Sequence, residues 1–129
     1  MNAHEMWEKD DASRALGMEL VDVGEGTAVV RMVVRDDMVN GHGMCHGGLV
    51  AALADSAFAA ACNSREVATV AAGFDVSFLR PAGPGDVLTA VAGERSLQGR
   101  SGIYDVTVTR EDGEVVAELR GRSRALSSH

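Results

Sequence analysis

The chain has 129 residues, 46% of them hydrophobic and 24% charged, with a formal net charge of −7. This length and balance predict one globular domain over 1–129, with no room for a second domain or for a core that encloses a large cofactor. The acidic balance excludes a nucleic-acid partner, which needs a dense basic surface, but leaves open a small anionic ligand held by local arginines.

The opening residues, Met1 to Asp11, lack the basic start and apolar stretch of a signal peptide. Residues 4–16 read as a short helix with Met6, Trp7 and Leu16 as packing residues, ended by Gly17. Residues 18–23 and 27–35 read as strands separated by Gly24-Glu25-Gly26. In the second, Ala28, Val30, Met32 and Val34 share one face, and Thr27, Val29, Arg31, Val33 and Arg35 the other.

A Gly-rich loop is expected over 36–45 and the main helix over 46–64. That helix is apolar nearly all round, as a helix buried in a sheet or an interface is. Its longest apolar run, Leu49 to Ala54, stops at Asp55 and is too short to cross a bilayer. Four strands follow, at about 69–79, 86–97, 101–110 and 114–125. Pro81, Gly83, Pro84 and Gly85 mark the turn before Asp86, and Glu111-Asp112-Gly113 marks a hairpin. Tyr104, Val106 and Val108 alternate cleanly between these turns. The short links predict an antiparallel sheet, and one buried helix on one such sheet is an α+β arrangement. Cys45 and Cys62 are the only cysteines; they form no disulfide framework and point to a reducing, cytoplasmic setting.

The chemistry is expected between Asn40 and Asp55. Glycines at 41, 43, 47 and 48 let backbone approach a ligand closely. His46-Gly47-Gly48 falls where the helix begins, and its first N–H groups lack partners within the helix. Such an N-terminus is suited to polarising a carbonyl. Asp55 is the only charged residue between His46 and Ser64, set among small residues at helical spacing: Gly48, Ala51, Ala52 and Ala59. Gly47 and Asp55 lie ~12 Å apart along one helix, whereas groups acting on one carbonyl must lie within about 3 Å of it. Two antiparallel copies of the helix remove the conflict, which predicts a two-fold dimer with composite sites.

Asn40, His46-Gly47-Gly48 and Asp55, with Phe78-Leu79-Arg80-Pro81 and Gly85-Asp86 downstream, resemble the PaaI-type hotdog thioesterases of phenylacetate degradation. The resemblance runs from about residue 12 to residue 125. It implies a hotdog fold, with a long helix wrapped by a curved antiparallel sheet of five or six strands. It also implies dimers paired into tetramers, an acyl-CoA substrate with an aryl or arylacetyl group, and no metal or cofactor. Gly47 would polarise the thioester carbonyl through its N–H, with Gly48 beside it. Asp55 of the partner subunit would be nucleophile or general base, and Asn40 and His46 would orient the site. Arg122 or Arg124, with Arg80 or Arg100, would meet the CoA phosphates. Where related enzymes can carry a Ser or Thr helper on the strand after the helix, this chain has Ala71, with Thr69 two residues earlier.

The residues alone leave other readings open. Asp55 reads also as a structural carboxylate, His46 as a helix cap, Asn40 as a turn residue, and Gly47 and Gly48 as packing sites. The alternating Arg120, Arg122 and Arg124 read also as a solvated face. His42, Cys45 and His46 have no second cluster at ligand spacing, so no metal is expected. The rival functions are a hotdog hydratase or dehydratase, and an acyl-CoA-binding protein without turnover.

Overall fold

The computed structural model describes residues 2–128. Two short helices, α1 (Ala3–Glu8) and α2 (Asp11–Ala15), precede strands β1 (Glu19–Gly24) and β2 (Thr27–Val33). The long helix α3 (Gly47–Cys62) follows, then β3 (Thr69–Phe78), β4 (Val87–Gln98), β5 (Ser101–Thr109) and β6 (Val115–Ala125). All strand pairings are antiparallel, in the order β1-β2-β4-β5-β6-β3.

The expected 4–16 helix is two helices. The Asp10 carboxylate accepts the Ser13 N–H at 3.0 Å and the Ser13 hydroxyl at 2.6 Å. A side chain that caps the next turn starts a new helix there instead of continuing the old one. Met6, Trp7 and Leu16 do pack against the core. The 36–45 segment is also more ordered than a plain loop, with a 3₁₀ turn over Asp36–Met38 and a bridge between Val39 and Cys45.

Alternation places the core as expected. Ala28, Val30, Met32 and Val34 on one side, and Tyr104, Val106 and Val108 on another strand, are all buried. Val50, Leu53, Ala54, Ala57, Phe58 and Ala61 of α3 press on this surface. The Phe58 and Tyr104 rings meet with centroids 5.6 Å apart. Phe58 is seated on Gly121, where a Cβ would come within 2.6 Å of its ring. The opposite face of α3 holds Gly48, Ala51, Ala52, Asp55, Ser56 and Ala59, none fully buried.

The two sheet edges differ. β1 is short and carries a bulge between Leu20 and Asp22. β3 has ten residues, and Val70, Phe74 and Phe78 along it are exposed.

Candidate active site

The segment before α3 is fixed by backbone hydrogen bonds at both ends. Cys45 N–H donates to the Ala82 carbonyl at 2.7 Å, and His46 N–H to the Met38 carbonyl at 2.8 Å. Between them, Asn40 ties a tight loop whose Gly43 has φ +76°. Its Oδ1 accepts from the N–H groups of His42 at 2.9 Å and Met44 at 3.2 Å. Its Nδ2 has no partner among the described residues. The turn role of Asn40 is therefore real, and it leaves one amide donor to spare.

His46 is the N-cap of α3. Its Nδ1 accepts the Gly48 N–H at 3.3 Å. The next two amides, of Leu49 and Val50, donate to the His46 carbonyl. Gly47 N–H is left with no acceptor among the described residues. The first turn thus presents one free, partly positive N–H.

Gly47 borders a cavity of about 340 Å³ lined also by Asn40, Met44, Cys45, Val50, Phe78, Leu79, Arg80, Pro81, Ala82 and Val116. Three expected site residues, Asn40, Gly47 and Arg80, therefore meet in one place. Arg80 stands at the rim, paired with Glu114 at 3.1 Å and donating to the Val115 carbonyl. Phe78 was not expected at the site. A Cβ on Gly47 would lie 3.3 Å from Phe78 Cζ, so the ring rests on the helix start. The motif residues Gly85 and Asp86 act on the fold: the Asp86 carboxylate accepts the Gly83 N–H at 2.7 Å, and Gly85 N–H donates to Val34.

Asp55 lies elsewhere on the same helix, half-buried, with no hydrogen bond or ion pair among the described residues. Burial raises its carboxyl above the usual range, and the charge of Asp10 adds to this. An unsatisfied carboxylate two turns beyond the cavity cannot reach it within one chain.

The remaining arginines are not brought to Gly47. Arg122 and Arg124 line a separate depression with Ala72, Ser96 and Gln98. Arg122 pairs with Asp75 at 3.2 Å, and Arg124 donates to Ser101 Oγ at 3.3 Å. Arg120 forms two bonds to Asp105, at 2.7 and 2.8 Å. Among the described residues, the Arg100 side chain reaches only the Leu126 carbonyl, at 3.4 Å. On the strand after the helix, Ala71 is exposed, and the buried Thr69 spends its hydroxyl on the Val67 carbonyl at 2.7 Å. Burial pushes the Cys45 thiol up, so it is no ready nucleophile. His42 is exposed, Cys45 is buried and His46 caps the helix, so the three do not converge.

Residues 42–117 match the thioesterase superfamily. The chain is 45% identical over 125 residues to the acyl-coenzyme A thioesterase PaaI of Escherichia coli (strain K12), covering 97% of this chain and 89% of that relative. The solved structure of the E. coli PaaI protein from the phenylacetic acid degradation operon matches with a TM-score of 0.96 and 44% identity, over 98% of this chain and 92% of that chain. A mutant of the phenylacetic acid degradation protein PaaI from Thermus thermophilus matches with a TM-score of 0.87 and 40% identity, over 91% of this chain and 100% of that chain.

Proposed function

This chain belongs to the thioesterase superfamily and is an acyl-CoA thioester hydrolase of the hotdog fold; from that premise we propose how its residues divide the work and which acyl group they serve. The acyl group is small and aryl, of the phenylacetyl or hydroxyphenylacetyl type. Gly47 N–H binds the thioester oxygen and stabilises the charge that grows there during attack. Asp55 of the partner subunit either takes a proton from the water whose oxygen bonds to the acyl carbon, or attacks that carbon itself to form an anhydride that water then cleaves; the C–S bond breaks, the thiolate takes up a proton, and CoA thiol and the free carboxylic acid leave. Asn40 orients the acyl end with its free amide, and His46 shapes the helix start by capping Gly48. The single domain works as a homodimer, paired into a tetramer, in the cytoplasm.

One observation carries this reading. The free Gly47 N–H and the free Asp55 carboxylate sit on one helix, too far apart to share a carbonyl. Antiparallel apposition of two α3 helices lets the N–H of one chain and the carboxylate of the other serve one substrate. The long, apolar, outermost β3 supports the same assembly, because such an edge favours pairing with another strand. In that arrangement Arg80 of one chain and Arg100, Arg122 or Arg124 of the other bind the CoA phosphates and offset the acidic surface.

Turnover of an acyl-CoA panel, from acetyl through hydroxyphenylacetyl to long-chain, tests the proposal. Thiol release fastest for the arylacetyl thioesters is expected. Hydration of an enoyl-CoA without thiol release would support the hydratase reading, and tight acyl-CoA binding without turnover would leave a binding protein.

A further inference from the structure

We propose that Phe78 is a specificity-determining residue: its ring forms the aromatic wall of the acyl site and sets the preference for aryl over linear acyl groups. The inference rests on the thioesterase reading above and deepens it. Four observations lead to it.

First, Phe78 and the free N–H share a residue. The Phe78 ring has Cζ at 3.3 Å and Cε2 at 3.4 Å from where a Gly47 Cβ would be. A Cβ on Gly48, by contrast, would meet only its neighbour His46, at an ordinary 3.5 Å. The glycine at 47 is thus the one that admits the ring.

Second, the backbone of Phe78 is anchored while its ring is not covered. Phe78 pairs with Ala117, and the following Leu79 N–H donates to the Val116 carbonyl at 2.8 Å. The residue nevertheless remains 52% exposed. In the single chain, an apolar side chain so exposed is open to a ligand or to a partner strand, and its place in the cavity lining favours the ligand.

Third, Phe78 lines a mainly apolar cavity together with Met44, Val50, Leu79, Pro81 and Val116, and Asn40, Gly47 and Arg80 are its polar points. Few polar groups in an apolar pocket is the pattern of a site that orients one small ligand.

Fourth, the distances suit stacking. A carbonyl oxygen on Gly47 N–H lies about 3 Å from that nitrogen. Because the Phe78 ring rests on the same glycine, an aryl substituent on that acyl chain would be placed to pair with it in the ~4.5–7 Å centroid range of aromatic contacts. A linear chain makes dispersion contacts there but gains no aromatic pairing.

The test compares kcat/KM for phenylacetyl-CoA and hexanoyl-CoA in the wild type, Phe78→Leu and Phe78→Tyr. Phe78→Leu is expected to lower the phenylacetyl-to-hexanoyl ratio by about 3- to 10-fold, and Phe78→Tyr to hold it within about 2-fold. Circular dichroism and light scattering establish that each variant keeps its fold and assembly. If Phe78→Leu does not fold, Phe78→Met carries the same comparison. A ratio unmoved by loss of the ring, including an equal fall on both substrates, overturns the inference while leaving the thioesterase reading intact. Wild-type protein that hydrolyses neither substrate overturns the thioesterase reading itself, and this inference with it.

Discussion

Ser13 Oγ lies 2.7 Å from Ser56 Oγ, and this contact fastens the N-terminal helices to the face of α3 that carries Asp55. Ser13 is buried, and its hydroxyl also meets Asp10 Oδ2 at 2.6 Å. The chain of contacts runs from a carboxylate on the N-terminal segment to the residue next to the proposed catalytic carboxylate. It brings a second negative charge into the surroundings of Asp55, where burial already disfavours ionisation.

Replacing Asp10 with Asn tests that coupling. Asn can still accept from Ser13, so the cap on α2 is kept. With Asp55 acting in its ionised form, as proposed, its raised pKa should place the acidic limb of the pH–rate profile above the ordinary carboxylate range of about 4. Asp10→Asn removes the smaller of the two causes, and the limb should move to lower pH. A limb that stays put would show that Asp10 acts only as a cap.

Asp55→Asn should reduce turnover at least ~10²-fold while acyl-CoA binding persists. Stability should move the other way. The folded chain holds the Asp55 proton more tightly than the unfolded chain does, because its pKa is raised on folding. That stabilisation is complete below the unfolded pKa and is lost as pH rises through the folded pKa. At neutral pH the ionised side chain therefore weakens the fold, and Asn should leave Tm equal or higher. A lower Tm, with activity falling only in step with folded protein, would assign Asp55 a structural role.

Subunit mixing tests the shared site. Asp55→Asn chains and Gly47→Leu chains should each be inactive alone, the leucine being driven into the Phe78 ring. A mixed dimer would hold one site with both defects and one with neither, so activity should return after subunit exchange. Heterodimers shown to form by mass spectrometry, yet dead, would rule out a site built across two chains.

His46→Ala should cost about 1 kcal/mol, as the loss of a helix N-cap does, and lower Tm by roughly 3–5 °C. His46→Asn should recover most of that, because Asn is a strong cap. If activity recovers along with Tm, His46 acts through the helix start. If Tm recovers and turnover does not, the imidazole itself is needed.

Much of the fold was legible because alternation and turn chemistry are local. The buried face of β2, the Tyr104-Val106-Val108 face and the hairpin at Gly113, with φ +88°, all follow from short-range pattern. The break at Asp10 was hidden because its cap competes with an equally plausible continuous helix. At the site, the glycines and Asp55 stood out by type. Phe78 stood out only as part of the Phe78-Leu79-Arg80-Pro81 motif, since a phenylalanine in a strand looks like any core residue until its contact with Gly47 is seen, 31 positions away in the chain. The arginines show the same limit. Their shared, exposed face on β6 was visible in the alternation, but Asp105, Asp75 and Ser101 became their partners only through strand register.

The ten residues of β3 end the sheet without a single lysine or proline, and β3's one bulge, between Ala71 and Gly73, leaves the stretch to Phe78 regular. That outer ladder matters during synthesis as well as at work. A freshly folded chain offers it to whatever extended peptide is nearby, so with the proposed pairing, yield in a host cell should depend on how soon a sister chain arrives. A lysine placed there to improve handling would guard against clumping and, by the same repulsion, hinder the pairing on which the enzyme's shared centres are proposed to depend.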